Sequence, residues 1–131
     1  MSPESDPPLV AYTLQIISAN DLPQRRLKVL GERNVIAKAT FEGRSVQTKV
    51  CTCSSSAEWR QTFRIEARKT SSVMALQLSR PTHGGSLNCG AEIVISDLLL
   101  RCRYGRDAEL DLRGIKSGLQ GRIKIRMSLS R

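Results

Sequence analysis

Apolar and polar residues alternate with period two along most of the chain. Val10, Tyr12, Leu14 and Ile16 alternate with Ala11, Thr13 and Gln15. Ala37, Ala39 and Phe41 alternate with Ile36, Lys38 and Thr40, and Phe63, Ile65 and Ala67 with Arg64, Glu66 and Arg68. The same rhythm runs through Val46–Val50, Met74–Leu78, Ile93–Ile95 and Arg122–Leu129. Each stretch predicts a half-buried strand, because successive side chains on an extended backbone point to opposite faces. Turn-forming residues separate them: Asn20-Asp21 with Pro23, Glu42-Gly43-Arg44, Ser54-Ser55-Ser56, Pro81 with Gly84-Gly85, Tyr104-Gly105, and Gly114 to Gly121. About eight short strands punctuated this way predict an all-β fold, an eight-stranded antiparallel β-sandwich. Glu42-Gly43-Arg44 is short enough for a hairpin. Ser96–Arg103 can form one or two helical turns, with Ser96 or Asp97 as the cap.

At 131 residues the chain is one domain, and it is large enough to bury a core without staples. Residues 1–9, with three prolines and two acids, read as a disordered leader, which leaves 10–131 as the folded unit. No apolar run approaches the ~20 residues that span a bilayer. The N-terminus lacks the basic start and apolar stretch of a secretory signal, so a cytoplasmic chain is expected. Four cysteines, Cys51, Cys53, Cys89 and Cys102, are then reduced thiols. Cys51 and Cys53 share one face of an extended segment. Zinc prefers two spaced ligand pairs, and Cys89, Cys102 and the single His83 do not supply a second. The simpler reading makes the cysteines small buried hydrophobes. No catalytic constellation is present: His83 stands alone and no G-x-S-x-G elbow occurs, so the chain reads as a non-enzyme.

Charge adds a separate constraint. Lys plus Arg is 21 against 12 Asp plus Glu, a net +9, and 15 of the 21 cations are Arg. Such a chain attracts phosphate. Nucleic acid is the weaker reading, because aromatic residues are only 4 % of the chain and Trp59 and Phe63 fall on the apolar phase of a strand.

Four stretches, in order, resemble a C2 domain. Thr13–Pro23 (TLQIISANDLP) is similar to the family's opening strand and first loop. Asn34–Val50 is similar to its Asp-Pro-Tyr-Val strand, hairpin and Thr-Lys strand. Ser54–Ala67, with Trp59 and Phe63 at the family's spacing, resembles Asn-Pro-x-Trp-Asn-Glu-x-Phe-x-Phe, and Gly121–Ser130 resembles the closing Gly-x-Ile-x-Leu strand. Ile93–Leu99 is similar to Ile-Pro-Leu-Ser-x-Leu. The resemblance implies a Greek-key sandwich in the second of the family's two circularly permuted orders.

It also implies a position for calcium, which C2 domains hold with about five aspartates on two loops at one tip, as suits a hard cation. Here Asn34 stands where the Asp of Asp-Pro-Tyr would be. Arg25 and Arg26 lie near another expected Asp, and Arg80 replaces the one that ends the strand before the third loop. That loop, Ser79–Leu87, contains no carboxylate. The expectation is a C2-like module with no calcium site and no other cofactor.

Side chains then supply the positive charge that the ion would bring. Arg25, Arg26, Lys28, Arg33 and Arg80 form a lipid-binding candidate at the loop tip. Each is worth roughly 1 kcal/mol beside an anionic leaflet. Leu27, Val29 and Leu30 among them either pack under the loop or dip into the interface. A second candidate is the basic strand face that holds phosphoinositides in some C2 domains, here Lys38 and Lys49 with Arg44. Arg60, Arg64 and Arg68, and Arg122, Lys124 and Arg126, make two further stripes, either anion surfaces or partners of acids on neighbouring strands. Arg101, Arg103 and Arg106 form a local basic run that is expected to be exposed. The resulting expectation is calcium-independent peripheral binding to anionic phospholipid membranes. The alternative is a protein–protein interaction or scaffold module within a larger signalling polypeptide, packing against its other domains or a protein partner.

Overall fold

The computed structural model describes residues 8–22, 33–53, 56–79, 89–114 and 118–130. Strands are β1 Val10–Asn20, β2 Arg33–Phe41, β3 Arg44–Gln47, β4 Cys51–Cys53, β5 Ala57–Ala67, β6 Val73–Ser79, β7 Cys89–Val94, β8 Ala108–Gly114 and β9 Gly118–Leu129. Helix α1 spans Ile95–Arg101, and a 3-10 turn covers Arg103–Gly105. Eight strands follow the order β3-β2-β6-β7-β8-β9-β1-β5, all antiparallel, with β4 added to β2. The β7–β8 link is short, Cys89 opposite Gly114 and Gly90 opposite Arg113. Around that link β3-β2-β6-β7 folds over β8-β9-β1-β5. One apolar cluster, including Leu14, Ile16, Leu76, Leu78, Ile123 and Ile125, fills the space between them. This is the all-β sandwich that the period-two pattern predicts.

Two local departures have physical causes. The alternation in β1 breaks at Ile17, where β1 carries one more residue than β9 between Ile16–Ile125 and Ser18–Lys124. This bulge makes Ile16 and Ile17 both buried and moves Ala19 onto the core phase. Opposite it, β5 has its own extra residue, with Arg60 at φ 47. The α1 cap is Val94, and no side chain caps it. The Ile95 and Ser96 N–H groups instead donate to the Ser72 and Thr70 carbonyls, 2.9 Å each, so the β5–β6 turn serves the helix end. Ala108–Gly114 is a strand in addition to those expected above, with Ala108, Leu110 and Leu112 on its core phase.

The β2–β3 hairpin turns on Glu42 (φ 48) and Gly43 (φ 77), and Phe41 pairs with Arg44. Two consecutive left-handed residues match the twist of the flanking strands, and Gly43 takes that conformation without strain. Glu42 is held because its carboxylate accepts the Arg68 and Lys69 N–H groups at 2.8 and 2.9 Å and the Ser72 hydroxyl at 2.6 Å. These bonds clasp the hairpin to the β5–β6 turn. The Ser72 hydroxyl above all holds the Glu42 carboxyl below its ordinary value; burial, the next-largest effect, opposes it, and the two backbone N–H groups and the Arg44 charge add to the lowering.

Candidate functional site

Antiparallel pairing decides which loops meet. β1, β4, β6 and β8 end at one end of the sandwich, and β2, β5, β7 and β9 begin there. The strand ends that bound segments 23–32 and 80–88 therefore sit together: Arg33 heads β2, Ser79 ends β6, and these strands are neighbours with Ile36 opposite Ser79. Arg25, Arg26, Lys28 and Arg80 lie outside the described residues, as do Leu27, Val29, Leu30 and His83. Arg33 is placed by its backbone, opposite Cys53 of β4.

Two residues at this end bear on cation chemistry. Asn34 is exposed, and its Oδ1 accepts the Thr52 hydroxyl at 2.8 Å across the β2–β4 pair. An uncharged amide whose oxygen is already engaged is a poor ligand for a hard divalent ion. Asp21 is exposed and sits at φ 58, a left-handed turn position that an Asp tolerates. Beside it Gly121 (φ 114) lets β9 approach so closely that a Cβ there would lie 2.6 Å from the Asn20 carbonyl oxygen. Among the described residues, no group of three or more His, Cys, Asp or Glu side chains is placed to hold a metal ion.

The strand-face candidates divide between two surfaces. Lys38 is exposed between two neutral neighbours, Gln47 of β3 and Gln77 of β6. The two-residue turn puts Arg44 opposite Phe41, on the other phase from Lys38. Arg44 instead borders an open groove of about 370 Å³ between the edge strands β3 and β5, with Arg64 and Glu66 and a floor of Phe41, Val46 and Ile65. Lys49 is exposed at the same edge, its N–H donating to Gln61 Oε1 of β5 at 2.9 Å. Thr48 holds this strand end in register. Its N–H donates to the Ala37 carbonyl and its Oγ1 accepts the Ala37 N–H, both at 2.9 Å. Thus Arg44 and Lys49 share the open edge while Lys38 faces outward from the sheet.

The two long arginine stripes are answered by acids. Arg126 pairs with Asp107 at 2.7 Å and Arg122 with Asp111 at 3.7 Å, while Lys124 lies opposite Glu109 in the β8–β9 register. On β5, Arg60 pairs with Glu58, and Arg64 with Glu66 at 3.9 Å. The cross-strand partners of the β9 stripe come from β8, which sequence reasoning had not identified as a strand. Trp59 and Phe63 pack against the core, as their phase predicts, and the Trp59 indole N–H is buried without a partner among the described residues. Cys89 and Cys102 are buried. Burial raises the Cys102 thiol, although the Met127 N–H that it accepts at 3.4 Å works the other way.

Neither a protein-family model nor a curated protein matches the sequence. Solved structures do resemble the fold. A C2 domain of plant extended synaptotagmin 1 superposes with a TM-score of 0.71 at 13 % identity, over 90 % of this chain and 92 % of that one. A C2 domain-containing protein from a putative elicitor-responsive gene gives 0.71 at 14 % identity, over 99 % and 95 %. A fragment of extended synaptotagmin 2 comprising its SMP domain and two C2 domains gives 0.71 at 16 % identity, and this chain matches 92 % of its own length to 27 % of that one. Strand order, the shared end of the loops and these superpositions agree: the chain has the fold of a C2 domain.

Proposed function

We propose that this chain is a calcium-independent, non-catalytic C2-type module that attaches peripherally to anionic phospholipid membranes from the cytoplasmic side. The observation that carries this reading is the convergence of strand ends at one tip. Arg33 heads one of those strands, and the segments that the strand ends bound carry Arg25, Arg26, Lys28 and Arg80 in the sequence; by the resemblance, Arg25 and Arg26 lie near one expected aspartate and Arg80 takes the place of another. Asn34, with its Oδ1 already accepting from Thr52, replaces a further expected aspartate. Fixed cations take over the role of a bridging ion. Arg forks to phosphate oxygens and each cation adds roughly 1 kcal/mol near the leaflet. The C2 domains of extended synaptotagmins that share the fold support a membrane role by analogy of architecture. Arg44 and Lys49 at the open edge, with Lys38 on the adjoining sheet, form a secondary anionic-lipid contact. Among the described residues no helix is long and apolar enough to cross a membrane, which suits attachment from one side.

Vesicle co-sedimentation in EGTA tests this. The wild-type chain should sediment with phosphatidylserine-containing vesicles and be released by salt, and R25E/R26E/R80E should abolish sedimentation while preserving the circular dichroism spectrum. Unchanged sedimentation of that variant would refute the tip assignment.

A further inference from the structure

The cations of β9 have acidic partners, but those of the α1 corner do not. Arg103 and Arg106 are exposed and form no ion pair with any described residue. The corner also displays two of the most exposed large apolar side chains among the described residues, Leu100 at 58 % and Tyr104 at 84 %. Single exposed apolar residues need no explanation, but an exposed Tyr within three residues of two arginines that lack acidic partners among the described residues matches the side chains enriched at interaction hot spots.

The corner is held rigidly from beneath. Ile95, Leu98 and Cys102 are buried in the core, the Cys102 N–H donates to the Leu98 carbonyl at 3.0 Å, and Cys102 Sγ accepts the Met127 N–H. Tyr104 takes a left-handed conformation, φ 63, which costs a bulky residue about 1 kcal/mol or more and persists only where the surroundings impose it. The ring is exposed, with the Arg103 guanidinium carbon 5.5 Å from its centroid. With its backbone already held, only the side chain is ordered on binding.

We infer that the α1 corner is a second docking site, which takes an acidic segment of a soluble protein partner: Tyr104 and Leu100 are the apolar anchors, and Arg103 and Arg106 meet its carboxylates. The occupant follows from charge and composition. β7 ends and β8 begins at the end of the sandwich opposite the loop tip, and β1 runs between the two ends over 11 residues. That separates the corner from the tip by roughly 35 Å, several Debye lengths at physiological salt. A membrane met by the tip alone exerts no pull there, but Arg44 lies at the same end as the corner, so the protein occupant follows from composition: Tyr and Arg are the side chains enriched where proteins bury one another, and guanidinium groups without acidic partners among the described residues match carboxylates. Neither the site nor its protein occupant depends on the membrane reading of the tip.

The test uses the full 131-residue chain. A fluorescein-labelled peptide rich in Glu and Asp and carrying aromatic residues is titrated by fluorescence polarisation, and anionic vesicles are assayed in parallel. R103E/R106E should weaken peptide binding about tenfold or more, a loss of roughly 1.4 kcal/mol. Tyr104→Asn should weaken it too without loss of stability, since Asn tolerates the left-handed backbone. R25E/R26E/R80E should leave peptide binding unchanged while removing vesicle binding. Peptide binding that is absent in the wild type, or indifferent to R103E/R106E, overturns the inference. So does vesicle binding lost in R103E/R106E and retained in the tip variant, which makes the corner the lipid face. A self-association that R103E/R106E removes also overturns it, because the occupant is then a second copy. Peptide binding without any vesicle binding sinks the membrane reading alone.

Discussion

Thr48 offers a sharp test of how the β2–β3 edge is held. It is 4 % exposed and stands opposite Ala37, which is fully buried. Its Oγ1 is the acceptor for the Ala37 N–H. Thr48→Val keeps the shape and exchanges the hydroxyl for a methyl group. Hydrophobicity alone predicts a gain of about 0.8 kcal/mol. Orphaning a buried N–H costs about 1–3 kcal/mol, and that loss outweighs the gain. The net destabilisation should be about 0.2–2 kcal/mol, which lowers a urea midpoint by up to roughly 1 M. Hydrogen exchange at the Ala37 amide should quicken in step. The consequence reaches the candidate lipid contact, because Thr48 sets where Lys49 leaves the strand. A Thr48→Val variant as stable as wild type, with Ala37 still protected, would refute the reasoning.

Further outcomes follow from the same physical arguments. Glu42→Gln should cost about 1 kcal/mol at neutral pH, after allowance for solvent screening of an exposed carboxylate. Because folding depresses the Glu42 pKa, its stabilisation is present above the ordinary value of 4.5 and is lost as pH falls through the folded value. Denaturant titrations of wild type and variant should therefore converge on acidification below that value. Gly121→Ala places a Cβ 2.6 Å from a backbone oxygen at φ 114. It should cost about 2 kcal/mol or more and lower Tm by roughly 5–10 °C in a thermal melt. Alkylation of the native chain followed by mass spectrometry should modify half-buried Cys51 well before buried Cys89 and Cys102.

Most strands were legible because one face of each is buried, and burial writes itself as period two. Val10–Ile16, Phe63–Ala67 and Ile123–Met127 follow it closely, whereas Leu129, on the same phase, is exposed. What the pattern hides is what depends on neighbours. The Ile17 bulge answers to β9 pairing, and the α1 cap is replaced by carbonyls from a turn more than twenty residues upstream. β4 has three residues, too few for alternation to register. The candidate sites divide in the same way. Asn34 and the carboxylate-free third loop are visible in the sequence, because a missing acid needs no fold to be seen. That Arg44 sits on the Phe41 phase, away from Lys38, follows only from the two-residue turn. That acids answer the β9 stripe depends on β8, whose role as its partner the sequence does not announce. Arg103 and Arg106 read as one more basic run in the sequence, and only the structure shows that they form no ion pair with any described residue.

The central claim is that fixed cations at the loop tip do the work of calcium. The most direct measurement is co-sedimentation of the wild-type chain with vesicles, with and without phosphatidylserine, in EGTA and then in calcium, at low and high salt. Binding in EGTA, only to anionic vesicles, weakened by salt and unmoved by calcium, is the predicted result. Binding that requires calcium would contradict it and restore an ion to the tip.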